Sequence, residues 1–339
     1  MSSTTSRGII RRIGKVLLWS VVVLLVLAVA GAIYQAIATE LAERAYPPPG
    51  EMVDVGGYRL HINCVGQGSP TVVLDAGSGG FSAQWVRVQR EVSDTTRVCA
   101  YDRAGMGWSE MGPDPRDAKQ ISSELHALLS KAGIDGPYVL VGHSFGGMYM
   151  QTYAARYPDE VAGVALVDSS TELDQFSPRP QARESYQPQK QRSAVVPQLA
   201  QLGVSLLARL GVVRLLSKLD PAPPELPQKQ REQIDALTPS TRQVSTYAGE
   251  FFAPTQTLRV GSQGSLGGNP LAVVTAGKSE PGWLKRQDEL ATLSSNSKHR
   301  VVKGATHTSL LYDRSDAQAT STSIVEVVAA VRNDRPLAR

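Results

Sequence analysis

The pentapeptide Gly142-His143-Ser144-Phe145-Gly146 constrains the fold of this chain more than any other stretch. It lies between an apolar run at residues 138–141 (YVLV) and a helix-like segment at 145–157. A strand that turns directly into a helix must reverse within a residue or two, and that forces the central residue into a strained backbone conformation. Side chains two positions before and after would collide, so glycine stands at both places. The turn lifts the Ser144 hydroxyl above the sheet edge and sets it at a helix N-terminus, where the dipole favours developing negative charge. Ser144 is therefore a candidate nucleophile. The plain alternative is a Gly/Ser turn, which the flanking strand and helix argue against.

The surrounding residues read as alternating strands and helices. Strand-like runs fall at 52–55, 58–65, 71–75, 97–101, 138–141, 161–167, 271–275 and 300–303. Gly56-Gly57 makes a hairpin turn between the first two. Helix-like segments fall at 81–92, 118–132, 145–157 and 315–331. Such alternation predicts an α/β fold, a mostly parallel sheet with helices on both faces and ligands at the carboxyl ends of its strands. Residues 171–268 break the pattern. They are rich in Pro and Gln and show helical stretches at 194–219 and 228–251 but no strand. We read them as a helical cap after the sixth strand, between core segments at 52–170 and 269–335. The leucines of 194–219 suit a helix packed on the core or on a substrate pocket. With Arg209, Arg214 and Lys218 interspersed, a membrane-facing lid is the alternative.

A serine hydroxyl needs a base to become nucleophilic at neutral pH. Of the five histidines, His61 and His299 are associated with strands, His126 lies in a helix, and His143 stands beside the nucleophile. His307 follows the last strand in a loop, at a sheet carboxyl end downstream of the serine, and is the candidate base. A carboxylate must orient it. Asp168 directly follows the run VAGVALV and is the favoured acid. Glu280, two strands after the nucleophile, is the alternative, and Asp288 comes third. The oxyanion of a tetrahedral intermediate needs two N–H donors. The backbone of Phe145 supplies one. The second comes from the glycine-rich loop at 76–80, with Ser78 as the candidate.

From Val16 to Thr39 no residue is charged, long enough for a transmembrane helix of about 20 residues. Arg7, Arg11, Arg12 and Lys15 precede it and account for the whole net charge of +4. No basic excess is left for nucleic-acid binding. Positive charge stays on the cytoplasmic side, so residues 1–15 form a cytoplasmic flank, 16–39 an anchor and 40–51 a Pro-rich linker to an extracytoplasmic domain. The alternative is a cleaved signal peptide and a secreted protein. The two cysteines, Cys64 and Cys99, exclude a disulfide framework. Buried free thiols are expected, because a strand-to-strand bridge strains disulfide geometry, with a bridge as the alternative.

With its serine elbow, distal histidine and glycine-rich loop, the chain resembles the α/β-hydrolase superfamily over about residues 52–335. Residues 101–109 (YDRAGMGWS) look like that family's D-R-x-G-x-G-x-S loop after strand four. The resemblance implies an eight-stranded sheet in which only the second strand is antiparallel. It also implies a cap between strands six and seven. Two positions depart from the family: Ala76-Gly77 stands where His-Gly is usual, and Gly-x-x-Asp after strand seven is absent. Some relatives carry the acid after strand six, which Asp168 matches. The implied activity is a serine hydrolase, a carboxylic-ester hydrolase acting on a small, apolar ester, with no metal or organic cofactor. A proline-iminopeptidase-like activity is the nearest alternative, for which Glu172, Asp174 and Glu184 are the cap acids to consider. A non-catalytic binding protein on the same fold is the alternative from another class.

Overall fold

The computed structural model describes residues 3–170, 195–252 and 266–337. Eight strands form one sheet in the order β1-β2-β4-β3-β5-β6-β7-β8. They are β1 (Glu51–Asp54), β2 (Arg59–Val65), β3 (Thr71–Asp75), β4 (Val98–Tyr101), β5 (Tyr138–His143), β6 (Val161–Val167), β7 (Leu271–Ala276) and β8 (Ser297–Val302). β2 runs antiparallel to both of its neighbours, and every other pairing is parallel.

Strands β3 to β7 carry apolar residues on both faces, as a sheet covered on both sides requires. Val72, Leu74, Val139, Val141, Val167 and Val274 face one layer of core, with α2 (Val86–Ser93) and α11 (Arg314–Asn333). The alternate residues Val73, Leu140, Leu166 and Val273 face the other, with α3 (Ala118–Lys131) and α4 (Phe145–Arg156). Each of these side chains is fully buried, worth about 1.5–3 kcal/mol apiece.

Several elements differ from the sequence expectation. The helix expected over 194–219 is two, α5 (Val195–Arg209) and α6 (Val212–Ser217), because Gly211 sits at φ 72 between them. The helix expected over 228–251 is split by Pro239 into α7 (Gln228–Leu237) and α8 (Thr241–Phe252); proline has no N–H to continue the ladder. α9 (Pro281–Ala291), with proline in its first turn, fills a stretch where no helix was expected. β8 starts earlier than expected and takes in His299, which pairs with Asp288 and Thr275. Finally, Cys64 and Cys99 are disulfide-bonded rather than free. They are direct cross-strand partners in the β2–β4 register with Cα atoms 4.0 Å apart, close enough for the sulfurs to meet.

A single helix, α1 (Ser3–Ala45), contains the apolar N-terminal segment and is a candidate membrane span, with a mean hydropathy of 2.9 in its most apolar window. Its C-terminal end is docked rather than dangling. Gln35 donates to the Pro239 carbonyl and accepts from Arg214, and the Tyr46 carbonyl accepts from Trp108. The proline run behind it is fastened too: the Pro49 carbonyl accepts from His61 Nε2. His61 Nδ1 also donates, to Asp102 at 2.9 Å. Burial opposes charge on His61, but the Asp102 carboxylate outweighs it and raises the histidine's pKa.

Candidate active site

The turn from β5 into α4 has the strain its sequence demands. Ser144 sits at φ 53, ψ −122, a region that costs a non-glycine residue energy. A side chain at Gly142 would stand 2.4 Å from the Gly146 backbone, and one at Gly146 would stand 2.3 Å from the Asp75 carbonyl. Both glycines are therefore steric requirements. The Ser144 backbone is pinned from the neighbouring strand: its N–H donates to Val167, and its carbonyl accepts from Ser170.

Asp168 is the first residue past β6 and takes a positive φ of 41. Its side chain is 1% exposed. His307 Nδ1 donates to Asp168 Oδ2 at 2.6 Å. The other oxygen accepts from Trp283 Nε1 at 2.8 Å and from the Ala276 N–H at 3.1 Å. Burial would raise the carboxyl pKa, but these donors prevail and lower it, so the group is a carboxylate. With Nδ1 committed, the lone pair of the His307 ring is on Nε2. Glu280 stands exposed at the N-terminal end of α9, and Asp288 is held by His299. Of the three acids considered, Asp168 is the one brought to His307.

His143 packs against His307. Its Nε2 donates to the His307 carbonyl at 2.9 Å, and the two rings lie 4.4 Å apart. A carbonyl only accepts, so Nε2 carries the proton, while Nδ1 is buried without a hydrogen-bond partner. Burial, reinforced by the nearby His307, pushes the His143 pKa down to about 3.

The glycine-rich loop after β3 lies against the elbow. A side chain at Gly77 would come within 3.2 Å of the Ser144 Cβ. Gly80 donates to the Gly77 carbonyl, closing a tight turn around Ser78, whose hydroxyl is buried without a partner. Phe145 opens α4, where the helix supplies no acceptor for its N–H.

The residues that hold this loop escaped sequence reasoning. Arg103 is buried and donates to the carbonyls of Ala76 and Gly77 at 2.6 and 2.9 Å, to Asp75 at 2.6 Å and to both oxygens of Glu250 at 3.0 Å. Tyr101 donates to the second Asp75 oxygen. On α8, Gln243, Tyr247 and Glu250 share one face, four and three residues apart. Gln243 donates to the Gly79 carbonyl, Tyr247 touches Gly79, and Glu250 receives Arg103. α8 thus roofs the loop. The one sequence signal was the position of Arg103 in the YDRAGMGWS loop. Nothing marked Trp283, Asp75 or Glu250. The cap acids Glu172, Asp174 and Glu184 lie outside the described residues.

A strained serine at a strand–helix elbow and a histidine–carboxylate pair at the same sheet edge are what proton-assisted acyl transfer uses. The chain belongs to the alpha/beta hydrolase fold family, whose model matches residues 70–313. Among solved structures it is similar to a thermophilic esterase from Thermogutta terrifontis, with TM-score 0.61 and 18% identity over 83% of this chain and 97% of that one. It is also similar to a membrane phospholipase A, with TM-score 0.59 and 18% identity over 97% of this chain and 99% of that one. At such identities the likeness is one of fold. A stretch of 129 residues, 36% of this chain, is 33% identical to a probable transporter, efuK, of Hormonema carpetanum, and covers 18% of that protein. The chain spans 18%, 29% and 37% of the length of three curated relatives it matches.

Proposed function

We propose that this chain is a membrane-tethered serine hydrolase that cleaves carboxylic esters. The observation that carries the reading is the 2.6 Å bond from His307 Nδ1 to the buried Asp168, beside a serine strained at φ 53. In this mechanism His307 Nε2 takes the proton of the Ser144 hydroxyl as Oγ bonds to the ester carbonyl carbon. The oxyanion is met by the N–H groups of Phe145 and Ser78. Collapse breaks the bond to the alcohol, which leaves with the proton from His307. Water then repeats the sequence on the acyl-enzyme, releasing the acid and restoring Ser144. Asp168 stabilises the imidazolium and holds its tautomer.

The apolar α1 supports the tether, and the basic cluster ahead of it supports a cytoplasmic N-terminus. The Cys64–Cys99 bond favours an oxidising compartment for the domain. A fluorophosphonate probe is expected to label the wild type and to leave Ser144→Ala unlabelled; equal labelling of both would end the assignment. A panel of p-nitrophenyl esters beside aminoacyl amides then separates ester hydrolysis from an iminopeptidase activity. Ligand binding without turnover of any member would point to a non-catalytic binding protein.

A further inference from the structure

The apolar face of the cap helices lies beside the C-terminal part of α1. Gly31 of α1 is met at backbone contact by the turn between α5 and α6: a side chain at Gly31 would stand 2.3 Å from the Leu210 carbonyl. From the other side, one at Gly211 would stand 3.0 Å from the Tyr34 ring. These small residues fix the height of the cap on the helix. Among the described side chains of α1, Gln35 is the first polar one to bond the domain, meeting Arg214 and Pro239. A helix rises about 1.5 Å per residue. The twenty residues from Val16 to Gln35 therefore match a hydrocarbon layer of about 30 Å. Gly31 lies about 6 Å from Gln35 toward the bilayer centre, and the α5–α6 turn lies at the same level.

On either side of that turn the cap presents leucines. Leu199, Leu202 and Leu206, spaced by three and four residues on α5, are 63%, 66% and 56% exposed. Leu215 and Leu216 on α6 and Leu219 just beyond it are 56%, 58% and 82% exposed. The exposed charges among them are Arg209, Lys218 and Asp220; long basic side chains at such a face reach the headgroups while their stems stay in the apolar layer. Arg214, the remaining charge, is buried and spent on Gln35, Thr39 and the Ala236 carbonyl. The other side of α5 packs on α8, the helix that roofs the glycine-rich loop.

We propose that the leucine face of α5 and α6 is embedded in the acyl-chain layer of the leaflet through which α1 emerges, so that the cap rests in the membrane. This rests on the reading of α1 as a membrane span. The occupant is lipid because the turn between α5 and α6 is fastened to α1 at Gly31 and Tyr34, so the face adjoins the exposed apolar surface of α1.

The test uses the full-length protein in phosphatidylcholine–phosphatidylglycerol vesicles, with nitroxide labels at Leu206→Cys and Leu216→Cys, at Trp19→Cys in α1 and at Asp135→Cys, exposed before the N-terminal end of β5. Oxygen should relax the labels at 206, 216 and 19 strongly while a water-soluble nickel chelate hardly does, with the reverse at 135. Water-like behaviour at 206 and 216 with a lipid-like label at 19 overturns the proposal and spares the anchor. Shielding of 206 and 216 from both relaxants means that protein, a second copy of the chain, covers the face, and this too overturns it. A water-like label at 19 removes the anchor itself and the proposal with it.

Discussion

Two residues at the candidate site illustrate how one local environment sets opposite protonation behaviours. Asp168 is as buried as His143, yet it is held charged by three donors, whereas His143 is held neutral. Replacing Asp168 by Asn keeps the shape but offers His307 the wrong partner. An Asp168→Asn variant is expected to lose on the order of 10⁴-fold in kcat, and Glu280→Gln to lose nothing, in steady-state assays on whichever ester the panel selects. His143 yields a stability prediction. It titrates at about 3 in the folded protein against an ordinary value of 6.5. Between those limits the unfolded chain binds a proton that the folded chain refuses, so stability declines as pH falls through that window. The contribution is at most ~1.4 kcal/mol per pH unit. His143→Gln should flatten the acid limb of a stability–pH curve taken by urea denaturation, and an unchanged slope from pH 6 to 4 would refute the assignment.

At the scale of elements, the decisive contact joins three stretches that are separated in the chain. Arg103, after β4, grips the end of β3, the glycine-rich loop and α8. Two carboxylates flank it, and burial raises the pKa of Asp75 even beside the guanidinium. The value of such a cluster is positional, since desolvating the charges offsets much of their attraction. Removing the cation leaves uncompensated buried acids, which costs about 3–5 kcal/mol. Arg103→Met is expected to destabilise by that amount in urea melts. Adding Glu250→Gln should recover part of the loss. A single-variant effect near zero, or no recovery in the double variant, would show that the cluster does not work as a unit. Here the legibility of the sequence ran out. YDRAGMGWS was visible as a loop, but the partners of Arg103 are set by which strands neighbour one another and by where the cap lands, and neither is a local property.

At the scale of the whole molecule, the disulfide ties distant stretches of the chain covalently. The Cys64–Cys99 bond closes a segment with a sequence separation of 35 and ties β2, next to the edge of the sheet, to β4. By chain entropy a loop of that size is stabilised by ~3–4 kcal/mol. Reductant should therefore lower the urea midpoint of the wild type markedly. The midpoint of Cys64→Ala/Cys99→Ala should already be low and should not respond to reductant. Identical midpoints for wild type with and without reductant would show that the bond contributes little. Sequence reasoning expected thiols because it weighed the strain of bridging strands in general. The particular register, which sets Cys64 directly opposite Cys99, comes from the pairing of β2 with β4.

By itself the sequence determined the apolar N-terminal helix, the alternation of strands and helices, and the serine elbow. Each depends on residues within a few positions: an uncharged run as long as a bilayer is thick, side chains that suit a doubly covered sheet, and glycines where a Cβ would collide. Only the tertiary structure decided which carboxylate meets His307, that Trp283 and Ala276 hold it charged, that Arg103 anchors the glycine-rich loop, and that the cap is seated on α1. Those contacts join residues up to 204 positions apart, and their partners are chosen by strand order and packing, which no short stretch of chain encodes.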